Sequence, residues 1–282
     1  MTQIPGYEIT EQLQVSEKKI VYRAWSEERQ KSVIIKILKA EYPSLEEITI
    51  LKHEYQIAVN LDVEGIIKAH SLEKYRNGFA LVLEDIGGES LHTWLGRRNR
   101  PLNHAREQNL PPCSEKFTSS SAVPPPWAKS LISLATTITP QITEEFLDEF
   151  LQIAISLAEI IGEIHQEQII HKDIKPSNII INPHTRQVKI SDFSIATPLV
   201  KEMPQWDSQP VMLGTLAYMS PEQTGRMNRM LDYRTDFYSL GITYYEMLTS
   251  KLPFASNDPL ELIHNHIAVT PGDHYWQRVI YS

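Results

Sequence analysis

The sequence predicts an α+β chain in two parts, an antiparallel sheet carrying one helix and then a mostly helical remainder. Three observations predict it. The first 85 or so residues hold short, partly alternating apolar runs rich in β-branched and aromatic residues. After residue 143 apolar residues recur at helical spacing instead. Between the two lies a stretch of different composition, rich in proline, serine and threonine.

In chain order, Tyr7 to Val15, Ile20 to Trp25 and Val33 to Leu38 read as strands. Ser44-Leu45-Glu46-Glu47 has the S-x-x-E form of a capping box and opens a helix reaching about Leu61. Ile66 to Leu72 and Phe79 to Leu83 read as two more strands joined at Asn77-Gly78, with a break at Gly87-Gly88. Residues 97 to 141 hold 7 of the 18 prolines and a net charge of +4 in an otherwise acidic chain. They read as a long inserted loop with a short apolar helix around Trp127 to Leu134; a docking segment for an acidic partner is the alternative. Thr143 caps the next helix, which carries Glu144 and Glu145 in its first turn and runs to about His165. Asn178 to Ile181 and Val188 to Ile190 read as short strands about a turn at Asn182-Pro183. Thr235 to Leu248 is a further helix. Asp258-Pro259-Leu260-Glu261 caps another, with proline at its first position.

Composition narrows the function. The 282 residues carry a net charge of −8, which argues against nucleic acid or an anionic membrane surface as main partner. The longest mostly apolar stretch, Phe146 to Gly162, is broken by Asp148, Glu149, Gln152, Ser156 and Glu159, so no membrane span is expected. Met1 to Pro5 lacks the basic and apolar regions of a secretory signal. The only cysteine is Cys113, which excludes a disulfide framework and fits a reducing, cytoplasmic location.

The chemistry concentrates in a few short segments. His171-Lys172-Asp173-Ile174-Lys175-Pro176-Ser177-Asn178 puts an acid, two cations and an amide on one loop. Asp192-Phe193-Ser194 follows the strand after it. Upstream, Lys36 sits inside a strand-like run and Glu54 on the next helix. Downstream come Gly214-Thr215, Ser220-Pro221-Glu222 and Asp236-Phe237-Tyr238-Ser239-Leu240-Gly241. Taken singly, each is ordinary: a strand lysine is most often a surface residue, and a glutamate on an amphipathic helix most often solvated.

Taken in order, the set resembles the protein kinase family, in particular its Ser/Thr members, over about residues 7 to 267. Ile4-Pro5-Gly6-Tyr7, Gly87-Gly88-Glu89-Ser90-Leu91 and the run from Gly214 to Arg229 further resemble the N-terminal kinase domain of large bacterial proteins that continue into an ATPase-like module and a sensor histidine kinase. The resemblance implies a bilobal fold, with an N-lobe over 1–86, a C-lobe over 87–282 that carries the insertion at about 97–141, and final C-lobe helices missing. It also implies transfer of the ATP γ-phosphate to Ser or Thr hydroxyls of a protein substrate, with Mg²⁺, and fusion to other signalling modules.

Phosphoryl transfer asks the protein for positioning and charge neutralisation more than for covalent chemistry. By resemblance, Lys36 holds the α- and β-phosphates and Glu54 holds Lys36. Asp192 and Asn178 supply hard oxygen ligands to Mg²⁺. Asp173 orients the substrate hydroxyl and accepts its proton, and Lys175 neutralises the γ-phosphate. Val21, Ile34 and Ile180 are candidates to stack on adenine, Glu84 to Ile86 form the interlobe hinge, and Leu83 sits at the back of the pocket. His171 and Asp236 take structural roles, Asp236 as a buried anchor for the catalytic-loop backbone.

The chain departs from the pattern at several points. The glycine-rich loop aligns on Gln14, Ser16 and Lys19, so its backbone loses freedom to approach phosphates, with the charges of Lys18 and Lys19 as the compensation on offer. Ile34 replaces a small residue and crowds the adenine side. Ser194 replaces a glycine, which removes positive-φ freedom there. Lys172 replaces an arginine, so a bidentate grip on a phosphorylated loop is lost. Glu222 lacks its usual arginine partner, for which Arg278 is the available substitute. These departures motivate a second reading, a weakly active or inactive pseudokinase serving as a scaffold. A small-molecule kinase is a third, against which Gly214-Thr215 and Ser220-Pro221-Glu222 speak.

Overall fold

A computed structural model describes residues 4–98, 144–199, 215–227 and 229–271. Strands β1 (Tyr7–Val15), β2 (Lys19–Ser26), β3 (Lys31–Leu38), β4 (Ala69–Tyr75) and β5 (Gly78–Glu84) form one antiparallel sheet in the order β1-β2-β3-β5-β4. The period of two sorts its side chains. Val33, Ile35 and Ile37 of β3 pack with Tyr22, Ala24, Ala80 and Val82 on one face. Ile34 and Leu38 join Leu81 and Leu83 on the other. Lys36 shares the parity of Ile34 and Leu38, which directs it to that second face.

Helix α1 (Leu45–Asn60) covers this second face. The Ser44 hydroxyl accepts from the Glu47 N–H while the Glu47 carboxylate accepts from the Ser44 N–H, the expected reciprocal cap. Its buried residues are Leu51, Glu54 and Ala58, spaced three and four apart on a single stripe. Glu54 therefore belongs to the packed face of the helix.

The strand expected at Ile66 to Leu72 begins later, at Ala69. Ile66 instead bridges in parallel to Ile190, the Ile67 N–H donates to the Ile190 carbonyl at 2.9 Å, and the Ile190 N–H donates to Gly65 O at 2.9 Å. These residues join the sheet to the second part of the chain, so their backbone groups are taken before β4 can use them.

That second part opens with β6 (Glu89–Ser90) and α2 (Leu91–Arg98), an element the sequence reading missed. Ser90 Oγ accepts from the Thr93 N–H at 3.2 Å, so an ST cap was the available signal. The insertion placed at about 97–141 is corrected at its start, because Arg97 and Arg98 close α2 and Arg97 pairs with Glu89. The rest of that stretch, with the Trp127–Leu134 helix and the Thr143 cap, lies outside the described residues, as do Gly214 and Arg278.

Helix α3 (Glu144–Gln166) is the spine of the larger core. Phe150, Ile153, Leu157, Ile160, Ile161 and Ile164 repeat at helical spacing and are all buried. They meet Ile174, Phe193, β8 (Ile179–Ile181) and β9 (Val188–Ile190). Full burial of each such side chain contributes about 1.5–3 kcal/mol. β7 (Ile169–Ile170) pairs with β10 (Thr197–Pro198), and β6-β8-β9 form a small sheet. Helices α4 (Arg234–Thr249) and α5 (Pro259–Ala268) complete the described part, α5 capped by Asp258, whose carboxylate accepts from the Leu260 N–H. Among the described residues no helix is long and apolar enough to cross a membrane.

Candidate active site

A cavity of about 880 Å³ opens between the five-stranded sheet and the small β8-β9 ribbon. That volume suits a ligand of nucleotide size. Ten of the eleven candidate residues line it, from Val21, Ile34, Lys36, Glu84 and Ile86 on the sheet and hinge side to Asp173, Lys175, Asn178, Ile180 and Asp192 on the other. The eleventh, Glu54, stands behind Lys36 and contacts the cavity through it.

Lys36 is the centre of the charged end. Its ammonium donates to Glu54 Oε1 and lies 3.5 Å from Asp192 Oδ2. Burial pulls the Lys36 pKa down, but Asp192 and Glu54 together outweigh burial and raise it to about 12. Burial is also the largest influence on Asp192, pushing its carboxyl up; Lys36, then Lys19, then the Ser194 hydroxyl overcome it and hold the group well below the usual carboxylate range. Glu54 is pushed up, by burial first and by Asp192, against the pull of Lys36. The triad therefore holds Lys36 charged and Asp192 ionised at neutral pH.

The 3₁₀ turn Pro176–Asn178 folds the loop from His171 to Asn178 back on itself. The Lys175 ammonium donates to Asp173 Oδ2 at 2.6 Å and to the Thr215 hydroxyl. The Thr215 N–H donates to Asp173 Oδ1 at 3.2 Å. Asn178 Nδ2 donates to the Asp173 carbonyl at 2.8 Å and to Oδ2 at 2.9 Å. Asn178 thus spends its amide nitrogen on Asp173, which leaves its amide oxygen as the atom to meet a cation. Both Asp192 Oδ1 and Glu54 Oε2 are buried without a hydrogen-bond partner. Asp192, with its orphaned oxygen, and Asn178 line the same cavity and offer hard oxygen donors of the kind a divalent cation takes.

Asp236 carries the loop from below. Its Oδ2 accepts from the His171 N–H at 2.9 Å and from His165 Nε2 at 2.8 Å, and its Oδ1 accepts from the Lys172 N–H at 2.7 Å. His171 uses both ring nitrogens, Nδ1 accepting from the Asp173 N–H and Nε2 donating to Ser191 O, and packs edge-on to Phe193 at 4.8 Å. Glu222 accepts from the Thr235 hydroxyl at 2.9 Å.

One expectation about the backbone is revised. The left-handed turn after β9 falls on Asp192, at φ 65°, and not on Ser194. Ser194 therefore needs no glycine-like freedom here and contributes its hydroxyl to Asp192 instead. Ile34 packs with Leu83, Ile86 and Ile180 as part of the apolar wall of the cavity.

Three residues escaped the sequence reading. Lys189 donates to Glu84 Oε2 at 2.8 Å. Arg23 donates to Asp85 Oδ2 at 2.9 Å and to the Gly88 carbonyl at 3.0 Å, tying β2 to the segment between the lobes. His53 of α1 contacts the Ala196 carbonyl at 2.6 Å. A lysine inside the apolar run Val188 to Ile190 was the one local signal.

Comparison with known proteins gives consistent relatives. The model of the protein kinase domain matches residues 129–276. The serine/threonine-protein kinase PrkC of Bacillus subtilis is 28% identical over 248 residues, covering 87% of this chain and 31% of that protein. The serine/threonine-protein kinase PknB of Mycobacterium tuberculosis is 38% identical over 107 residues, covering 38% of this chain and 17% of that protein. The PknB of Mycobacterium leprae is 39% identical over a stretch of the same length. The chain thus spans about a third of PrkC and about a sixth of PknB.

Proposed function

The chain belongs to the protein kinase family, and on that premise we propose that it is a Ser/Thr protein kinase domain, moving the ATP γ-phosphate to a protein hydroxyl with Mg²⁺. The observation that carries this reading is the convergence of the Lys36–Glu54–Asp192 triad and the Asp173–Lys175–Asn178–Thr215 cluster on one nucleotide-sized cavity. The non-catalytic alternative gains no support from relatives named as kinases.

Val21, Ile34 and Ile180 supply apolar faces for adenine, and Glu84 to Ile86 supply backbone groups at its edge. Lys36, held by Glu54, binds the α- and β-phosphates. Asp192 and Asn178 hold the divalent cation, which screens the phosphate charge when bound. Asp173 takes the proton of the attacking Ser or Thr hydroxyl as the new O–P bond forms and the bond to the β-phosphate oxygen breaks, releasing ADP. Lys175 neutralises the transferred group, and Thr215 keeps Lys175 and Asp173 in register. We place the lobe boundary after Ile86. We also read the domain as cytoplasmic, where ATP is supplied, and as one module of a larger signalling protein, on the resemblance of its Gly214–Arg229 segment to such proteins.

The test is phosphate incorporation from Mg²⁺–ATP into the chain and a Ser/Thr-rich substrate, beside Asp173→Asn. The variant is expected to lose at least about a hundredfold in rate while melting like the parent. Equal incorporation by both would refute the role of Asp173.

A further inference from the structure

We infer that Lys19 is a second phosphate-binding cation of this site, working in place of the backbone cradle that the missing glycines would have formed. The inference rests on the cavity being a nucleotide site. Lys19 starts β2 at the tip of the β1–β2 hairpin and lines the cavity. Its ammonium lies 3.5 Å from Asp192 Oδ1 and 3.8 Å from Glu54 Oε2. These are the two buried carboxylate oxygens that lack a hydrogen-bond partner. Lys19 therefore reaches the same charged end as Lys36, from the neighbouring strand β2.

Two of the tip amides, those of Ser16 and Lys19, are already engaged. The Ser16 N–H donates to the Lys19 carbonyl at 2.9 Å, and the Lys19 N–H donates to the Ser16 hydroxyl at 3.0 Å. Lys18 lends its carbonyl to the Lys39 N–H at 2.8 Å. Amides closed on their own turn cannot also donate to a phosphate without breaking these bonds. A side-chain cation has no such conflict. Lys19 contacts its carboxylates at distances longer than a hydrogen bond, on a flexible stem, and with its side chain about 23% exposed. It is held near the phosphate end by charge but free to turn to a triphosphate, which offers stronger charge-assisted hydrogen bonds.

The test uses calorimetric titration with ATP and with adenosine, both in excess chelator, on the whole chain, Lys19→Met, Lys19→Arg and Lys39→Met. Lys39 lies after β3, outside the cavity lining, and controls for charge alone. Lys19→Met is expected to weaken ATP about tenfold or more and to leave adenosine unchanged. Lys19→Arg and Lys39→Met are expected to stay within about twofold of the parent. Equal ATP affinity in the parent and Lys19→Met overturns the assignment, and tighter ATP binding by Lys19→Met does so too, by making Lys19 an occluding group. A parent that binds neither ligand overturns the nucleotide-site reading and this assignment with it. A parent that binds adenosine, with ATP insensitive to Lys19→Met, overturns this assignment alone. Melting curves establish that each variant is folded before it is scored.

Discussion

The Lys189 ammonium donates to Glu84 Oε2 at 2.8 Å, joining the strand that leads into Asp192 to the segment between the lobes. Lys189 is nearly buried, and 105 positions separate the two residues. The pair links the end of the cavity that would meet the adenine edge to the strand that delivers Asp192. Lys189→Met is expected to cost about 1–2 kcal/mol of stability and to weaken ATP several-fold. Chemical denaturation and ATP titration read the two effects. A variant matching the parent in both would remove any structural role for the pair.

Replacing Lys36 separates binding from charge balance. Lys36→Met leaves Glu54 and Asp192 facing each other with Lys19 as the cation paired to both, at a cost on the order of 3 kcal/mol. The pH dependence has a definite sign. A carboxyl depressed in the fold contributes stability that is complete above its unfolded value, near 3.9, and is lost as pH falls through the folded value. Asp192 is such a group, and Lys36 is the strongest charge holding it down. The acid limb of the melting temperature should therefore shift to higher pH in Lys36→Met. Superimposable acid limbs, measured from pH 6 to 2, would show that Lys36 does not set the Asp192 proton affinity.

Asp236 holds two backbone amides and one imidazole in a fully buried position. Asp236→Ala should cost roughly 2–5 kcal/mol, since each stranded buried amide costs about 1–3 kcal/mol. Asp236→Asn should fall between, because one oxygen remains to accept. Transfer should drop with both, through the loop carrying Asp173. Urea unfolding of the three proteins checks the order, and an alanine variant as stable as the parent would contradict it.

Gly65 is required by Ile160. A Cβ at position 65 would sit 2.1 Å from Ile160 Cγ1 and 2.8 Å from its Cδ1 and Cγ2, so the whole side chain would have to move. Gly65→Ala alone should cost about 1–3 kcal/mol by overpacking. In an Ile160→Ala background, which itself costs about 2–5 kcal/mol, the same change should cost little. Additive costs across this cycle would place the strain elsewhere.

Much of this protein was readable along the chain. Capping by Ser44 and Asp258, the alternation of β3 and β5 and the helical spacing of α3 are local properties, set by side chains a few positions apart. The order of Lys36, Glu54, Asp173, Asn178 and Asp192 was likewise enough to suggest the chemistry. Other features depended on elements distant in sequence meeting in space. Ile66 and Ile67 read as strand but gave their backbone to β9. Lys189 and Glu84 look like two ordinary charges until the hinge and β9 pack together. Glu54 was paired with Lys36 by resemblance, but its burial against Lys36 follows from the packed face of α1. Lys19 met Asp192 and Glu54 only because the hairpin folds over the cavity. Local rules act through bonds to near neighbours and are written in spacing, whereas charge pairing across a cavity depends on where three separate elements come to rest.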